Sequence, residues 1–249
     1  MEFYKILSNY YDDIFGTNMK AIEFIESRLP KNVQKVKVLD IACGSGSEAL
    51  ELAKQGYDVI GTDLSEDMIS LIEEKITQNP SLALTSRQVN MLDIEQLATT
   101  FDCIYCIGNS FVHLHNLDEM LKMLQLCYGR LNDNGILIIQ IVNFDSVLKK
   151  TPMSLPSIGN SEKGMTFKRN YELLSPTQLL FSMNLKIMNN NEGDTSYYSS
   201  SIQLRPLLKK DFEVLIQKSA FSKYELFGSY VNEPYTEDSP ALIAVLQKL

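Results

Sequence analysis

Residues Lys35 to Ser47, reading K-V-K-V-L-D-I-A-C-G-S-G-S, constrain this chain more than any other stretch. Val36, Val38 and Leu39 supply the apolar, partly β-branched run of a short buried strand, and the spacing predicts that strand over 36–42. It runs into Gly44-Ser45-Gly46, after which Ser47 is placed as N-cap of an amphipathic helix over 48–55 closed by Gly56. A strand, a glycine turn and a helix N-terminus together aim backbone N–H groups at the space above the turn. Glycines there let a ligand approach the main chain with no Cβ in the way. The stretch has the outline of a nucleotide-cofactor site.

From Lys35 onward strands and helices alternate. A second strand, Tyr57 to Asp63, ends in an acid, and Ser65 caps a helix over 66–78 with Met68, Ile69, Ile72 and Ile76 on its apolar stripe. A third strand near 83–89 leads into Asn90-Met91-Leu92-Asp93, and a fourth, Phe101 to Ile107, ends at Gly108-Asn109-Ser110. A helix over 117–131 and the turn Asn132-Asp133-Asn134-Gly135 precede a fifth strand, Ile136 to Val142. Strands separated by single helices require right-handed crossovers, hence a parallel sheet with helices on both faces.

After Asn143 the rhythm changes. Residues 151–163 read as a loop, while Phe181 to Ile187 alternates with period two, as a half-buried antiparallel strand does. Segments 165–174 and 196–204 are its expected neighbours, with a turn at Asn189 to Asp194. A helix over 208–219 and strands over 223–229 and Ala241 to Leu246 restore the α/β order. The expected fold is α/β: a Rossmann-like, doubly wound, mostly parallel seven-stranded sheet with helices on both faces, plus a small antiparallel insertion. Residues 1–29 read as helices broken at Gly16-Thr17-Asn18, with Phe3, Ile6, Leu7, Tyr10 and Ile14 on one stripe and Ile22, Ile25 and Leu29 on the next. We expect one domain over 1–249, covered by an N-terminal helical lid (1–30) and an inserted β lid (146–205).

With 249 residues, 45% of them hydrophobic, the chain can bury one large core. A net charge of −8 argues against unassisted nucleic-acid binding, which needs a basic face. The longest apolar run, Ile136 to Val142, is broken by Gln140 and is too short to span a bilayer, and the first residues lack the pattern of a signal peptide. These features predict a soluble cytoplasmic protein, monomer or homodimer, with no membrane partner. Cys103-Ile-Tyr-Cys106 has the spacing of half a zinc site, but it lies in an apolar run with no second cysteine pair, so reduced core thiols and no metal are expected.

Gly44-Ser-Gly-Ser-Glu-Ala49 formally fits a dinucleotide fingerprint, which alone is a weak signal. Three features shift it. Asp40 stands at the carboxyl end of the first strand, where a carboxylate would receive an ammonium group and repel a pyrophosphate. Asp63 ends the next strand, placed to accept two ribose hydroxyls. Asn90-Met91-Leu92 ends the third, where an amide side chain and the next backbone N–H can read an adenine edge. A ligand with a cationic amino-acid end, a ribose and an adenine fits this order, and S-adenosylmethionine is such a ligand.

Here the sequence resembles the class I S-adenosylmethionine-dependent methyltransferases. Val38 to Gly46 is similar to their glycine-rich first motif, and Gly61-Thr62-Asp63-Leu64-Ser65 to their acidic second-strand motif. The resemblance implies that Gly44 and Gly46 let the main chain pass under the methionyl part and that Asp40 supports that turn or the ammonium. It further implies that Asp63 binds the ribose and that Leu64 and Met68 sandwich the adenine. Ala42, Asn90, Met91, Leu92 and Ile107 complete the implied cofactor contacts; Asn90 stands where the family more often has Asp.

Gly108-Asn109-Ser110-Phe111-Val112-His113-Leu114 is similar to a segment of the glycine and sarcosine N-methyltransferase branch, as is Asn143-Phe144-Asp145. That branch typically carries an arginine just before this Asn; Val142 stands there, leaving Arg205 or Arg169 to substitute. The implied acceptor is a small molecule methylated on nitrogen or oxygen, with His113, Tyr11 and Asn109 as candidate catalytic residues. Two other readings stay open: an NAD(P)-dependent oxidoreductase using the same glycine turn, and a cofactor-binding scaffold without turnover.

Overall fold

The computed structural model describes residues 2–31, 35–150, 152–160, 163–188 and 194–249. The chain opens with three short helices, α1 (Glu2–Ser8), α2 (Tyr11–Phe15) and α3 (Met19–Glu26). Gly16, at φ 60°, ends α2, and the Asn18 side chain caps α3 by accepting from the Ala21 N–H, so the predicted break falls where expected. A turn at Tyr10, whose N–H donates to the Leu7 carbonyl, divides the first predicted helix in two.

The α/β part runs β1 (Lys37–Ile41), α4 (Ser47–Lys54), β2 (Asp58–Asp63), α5 (Glu66–Gln78), β3 (Leu84–Gln88), β4 (Phe101–Cys106), α6 (Leu117–Arg130), β5 (Leu131–Val142) and the short α7 (Phe144–Val147). Two local expectations change. Gly46, in the left-handed conformation, is the N-cap of α4, and Ser47 opens the helix and turns its hydroxyl to other partners. The turn expected at Asn132–Gly135 lies inside β5 as an irregularity in its pairing with β4, with Asn134 at φ 63°.

Next come β6 (Ser154–Asn160), β7 (Met165–Ser175), β8 (Gln178–Met188) and β9 (Thr195–Leu204), then α8 (Lys209–Lys218), β10 (Lys223–Phe227) and β11 (Ala241–Gln247). The loop predicted over 151–163 contains β6; Thr151, Ser161 and Glu162 lie outside the described residues. Pro156 and Gly159 mask the strand pattern there. The strand survives because it is an edge strand with a bulge between Leu155 and Ile158, where proline removes no needed ladder bond. The turn predicted at Asn189–Asp194 falls outside the described residues except for Asp194.

The seven-stranded sheet has the order β10-β11-β5-β4-β1-β2-β3, parallel except for β11, which runs antiparallel to both neighbours. Connections proceed outward in opposite directions from β1 and β4, which opens a crevice above the carboxyl ends of those strands. Both faces are covered, so alternate strand residues serve two cores. Val38, Tyr105 and Ile138 pack toward Ile22, Leu52 and Ile72 on α3, α4 and α5; Leu39, Ile104 and Ile139 pack toward Met120, Leu124 and Phe212 on α6 and α8. All four cysteines are free and buried, and no cluster of three metal-ligating side chains occurs among the described residues. No helix of the described residues is long and apolar enough to cross a membrane.

Strands β6 to β9 form a separate antiparallel sheet in that order. Its inner residues Phe167, Tyr171, Leu179, Phe181, Met183 and Leu185 join the α6-side core, while Lys168, Asn170 and Asn184 stay exposed. The inserted sheet therefore shares one apolar core with the parallel sheet. We predict that Leu185→Ala, which truncates a side chain 1% exposed, costs about 2–5 kcal/mol in a single unfolding transition. Urea unfolding followed by far-ultraviolet circular dichroism and tyrosine fluorescence checks this; an early transition confined to one probe contradicts it.

Candidate active site

The glycine bend leaves β1 through three residues in the left-handed region, Ala42 (φ 58°), Gly44 (55°) and Gly46 (73°). For Ala42 that conformation costs of order 1–2 kcal/mol, and the adjoining Cys43 N–H anchors the bend by donating to the Thr62 carbonyl at 2.9 Å. The two glycines make room for different neighbours. A Cβ on Gly44 would stand 2.8 Å from the Tyr11 hydroxyl, and one on Gly46 would stand 2.3 Å from Ile72 Cδ1. Gly46 thus admits helix α5, while Gly44 admits the phenol that covers the bend.

Asp63 ties the bend to the next strand. Its Oδ2 accepts the Gly44 N–H at 2.9 Å and its Oδ1 accepts the Ser65 N–H at 2.9 Å. Each carboxylate oxygen keeps a further acceptor position. Burial raises the Asp63 pKa, against the lowering effect of the Ser65, Gly44 and Leu64 amides. Asp40 lies deeper, 3% exposed, and its Oδ2 accepts the Tyr105 hydroxyl at 2.8 Å. Burial, then the nearby Glu48 charge, pushes the Asp40 carboxyl well above its ordinary value, with the Tyr105 hydrogen bond opposing.

A polar clasp, unforeseen from the sequence, holds α2 over the bend. Asp12 pairs with Lys75 at 2.8 Å and accepts from the hydroxyls of Ser47 at 3.0 Å and Ser45. Lys75 also donates to the Ser45 carbonyl at 2.9 Å and to Ser47 Oγ at 2.9 Å. Burial alone would raise the Asp12 pKa, but hydrogen bonds from Lys75 and Ser45 outweigh it and hold the carboxyl below its ordinary value. The neighbouring Asp13 pairs with Lys163 of the insertion at 2.5 Å. No local pattern announces these pairs, because the partners lie between 28 and 150 residues apart.

The remaining candidates divide. Leu64 is 65% exposed beside Asp63, whereas Met68 is buried, so only Leu64 presents a broad apolar surface. The Asn90 side-chain oxygen accepts the Leu92 N–H at 2.9 Å, and Met91 and Leu92 rest against the core. The Val89 N–H donates to the Asp63 carbonyl at 3.1 Å, which sets this segment next to β2. Ile107, half-buried past the end of β4, accepts the Ser110 hydroxyl at its carbonyl. The left-handed Asn109 accepts the Val142 N–H at 2.9 Å, so its side chain stitches β4 to β5. His113 stands exposed on the turn Ser110–His113, yet desolvation by the surrounding protein lowers its pKa below 6.5 and leaves the ring neutral at pH 7. Direct contacts bring Tyr11, Gly44 and Asp63 together and join Asn109 to the β5 end, while His113 stands apart from that cluster on the turn after β4.

Residues 38–135 match the family described as "Methyltransferase domain". A glycine/sarcosine N-methyltransferase of Halorhodospira halochloris is 26% identical over 242 residues, covering 96% of this chain and 85% of that protein. One from Parasynechococcus marenigrum (strain WH8102) is 33% identical over 122 residues, 49% of this chain and 43% of that protein. Among solved structures, an S-adenosylmethionine-dependent methyltransferase from Clostridium acetobutylicum ATCC 824 superposes with a TM-score of 0.78 at 16% identity, covering 98% of both chains. The chain is a class I S-adenosylmethionine-dependent methyltransferase. The cofactor of this methyltransferase is S-adenosylmethionine, and the nicotinamide reading of the glycine bend is set aside.

The buried Asp40 of the methyltransferase makes stability depend on pH in a known direction. Native Asp40 keeps its proton to higher pH than the unfolded chain, where the carboxyl ionises near 3.8. Stability is therefore lost as pH climbs from about 4 through the raised native value. Asp40→Asn removes that loss, so urea unfolding should show the variant gaining on the wild type as pH rises from about 4 through the raised native value. A difference that is flat across that window contradicts this.

Proposed function

We propose that the methyltransferase transfers a methyl group to a small-molecule acceptor, with an amine nitrogen as the first reading and a hydroxyl oxygen as the second. The carrying observation is the roof over the strand ends. Helix α2 is clasped to the bend through Asp12 and Lys75, and it meets the insertion through Asp13–Lys163 and through Phe15 against Phe167, ring centroids 5.5 Å apart. The insertion in turn rests on Phe144 through Tyr171, 5.7 Å centroid to centroid. A crevice roofed on these sides suits a small acceptor, and a chain of net charge −8 offers no field for a nucleic acid. The N-terminal helices and the insertion act in this reading as the two lids.

The residues present fit the cofactor. Asp63 keeps open acceptor positions suited to ribose hydroxyls, and Leu64 leaves an apolar face in solvent beside it, as an adenine requires. In this reading Asn90, one lone pair already engaged by the Leu92 N–H, and the Met91 N–H face the adenine edge, with Met68, Leu92 and Ile107 as further cofactor contacts. Asp40 supports the Ala42–Gly46 bend from beneath, and Tyr11 covers Gly44. Bound there, S-adenosylmethionine supplies an electrophilic methyl group and takes up the electron pair of the breaking carbon–sulfur bond at its sulfur.

For this chain's own residues the work is alignment and exclusion of water. A neutral amine attacks without base assistance and then sheds a proton to solvent. An acceptor that arrives as an ammonium, or one that attacks through a hydroxyl, must first give up a proton, and the neutral imidazole of His113 is suited to take it at a ring nitrogen. Asn109 acts as a positioning residue for that turn. The N-methyltransferase relative favours nitrogen; the uncharged His113 is what favours oxygen as the second reading.

Labelled-methyl transfer over a panel of small amines and phenols tests this. Transfer to amines is expected, with His113→Ala lowering turnover while S-adenosylhomocysteine affinity stays within about twofold. The loss should be about tenfold or less for an amine and about 100-fold or more for a hydroxyl acceptor. No transfer to any amine or phenol overturns the proposal, and equal losses in turnover and cofactor affinity remove His113 from it.

A further inference from the structure

One polar residue interrupts the longest apolar run of the chain. Gln140 stands between Ile139 and Ile141 on β5, one residue beyond Ile139, where the pairing of β5 with β4 ends. Just past that point β4 gives way to two consecutive left-handed residues, Gly108 at φ 75° and Asn109 at φ 73°. Gln140 takes the N–H groups of both. Its Oε1 accepts the Gly108 N–H at 2.8 Å, and its backbone carbonyl accepts the Asn109 N–H at 3.3 Å. Asn109 bonds back from the other side, its Oδ1 accepting the Val142 N–H at 2.9 Å.

A second donor fixes the glutamine amide. The Tyr230 hydroxyl, from the loop after β10, donates to the same Gln140 Oε1 at 3.4 Å. The Tyr230 ring packs near edge-on against Phe24 of α3, centroids 5.6 Å apart. Burial, then the charge of Glu48 in the first turn of α4, raises the Tyr230 pKa and keeps the phenol protonated as a donor. Two donors on one oxygen leave the side-chain amide a single orientation.

The turn held in this way is anchored unevenly. Packing sets its far end: Phe111 and Val112 are fully buried, with the Phe111 ring 5.7 Å from that of Phe212 on α8. The near end has no such anchor. Gly108 is exposed, a Cβ on it would meet nothing within 4 Å, and Asn109 and Ser110 are half-buried. Hydrogen bonds to β5 fix that end instead. Packing does not call for glutamine at 140 either, since leucine would fill a half-buried place between two isoleucines. An amide there is costly unless it is hydrogen-bonded, and the turn and Tyr230 supply its bonds. We infer that Gln140 is a positioning residue: it holds the Gly108–Asn109 end of the turn that carries His113 and so sets the imidazole over the strand ends, with Tyr230 orienting its amide. That the imidazole so held serves methyl transfer rests on the proposed function; the positioning does not.

Nuclear magnetic resonance titration of the imidazoles tests the inference. His113 and His115 are the only histidines, and His113→Ala identifies the His113 signal. In wild type, desolvation holds the His113 midpoint below 6.5. Gln140→Met keeps the length of the side chain and removes the acceptor, so it should release the turn and move that midpoint up toward 6.5. Gln140→Glu, which keeps an acceptor oxygen, should restore it. Tyr230→Phe, the milder variant if Gln140→Met does not unfold cooperatively, should move it the same way by less. In the labelled-methyl assay Gln140→Met should lower turnover about threefold or more, but no further than His113→Ala does, with S-adenosylhomocysteine affinity within about threefold. Placed on His113→Ala, it should cost less than about twofold more. A His113 midpoint unmoved in both Gln140→Met and Tyr230→Phe, failure of Gln140→Glu to restore it, or an undiminished loss on top of His113→Ala overturns the assignment. A wild type that methylates no acceptor would count against the methyl-transfer reading alone, since the titration needs no turnover.

Discussion

One carboxylate holds together the loops above the carboxyl ends of β1 and β2. The oxygens of Asp63 take N–H groups from two separate loops, Gly44 of the bend after β1 and Ser65 of the turn after β2. Parallel strands fix only the spacing of their ends; the loops above them are otherwise independent. By bonding both, Asp63 sets the height of the glycine bend and fixes where Leu64 is exposed. The same group sits at a raised pKa because burial opposes its charge. Amide donors aimed at it compensate in part, and a ligand offering hydroxyl donors would complete the compensation.

A second layer follows from that arrangement. Asp40 beneath the bend is answered by Tyr105 from β4, so the two central strands share a buried hydrogen bond under the crevice. Above the bend, Asp12 and Lys75 join α2 to the serines of the loop and to α5. These contacts make α2 a continuation of the glycine bend. The insertion meets α2 through Phe15 and Phe167 and meets the end of β5 through Phe144 and Tyr171, so it contacts elements from both halves of the sheet.

Much of this was legible in the chain because the informative signals are local. The apolar runs at 36–42 and 136–142, the glycines at 44 and 46 and the acids at 40 and 63 each act within a few residues of themselves; β1 and the bend appear where they predict, and β5 contains its predicted run but begins earlier, at Leu131. Where an outcome depends on distant partners, the sequence is silent. Strand β6 escapes notice because Pro156 and Gly159 are tolerated only through its edge position and bulge. Gly46 displaces Ser47 as N-cap because Ile72 crowds the bend and because the Ser47 hydroxyl has Asp12 and Lys75 to bond. Met68 is apolar like Leu64, yet tertiary packing buries it. Asn90 looks like a base reader but engages its oxygen in its own turn.

The most direct test of the central role given to Asp63 is calorimetric binding of S-adenosylhomocysteine to wild type and to Asp63→Ala, with thermal unfolding of both proteins as the control for folding. Loss of a buried charge-assisted site should cost about 2 kcal/mol or more, roughly thirtyfold in affinity, in a variant that still unfolds cooperatively. A folded Asp63→Ala protein that binds as tightly as wild type would contradict it.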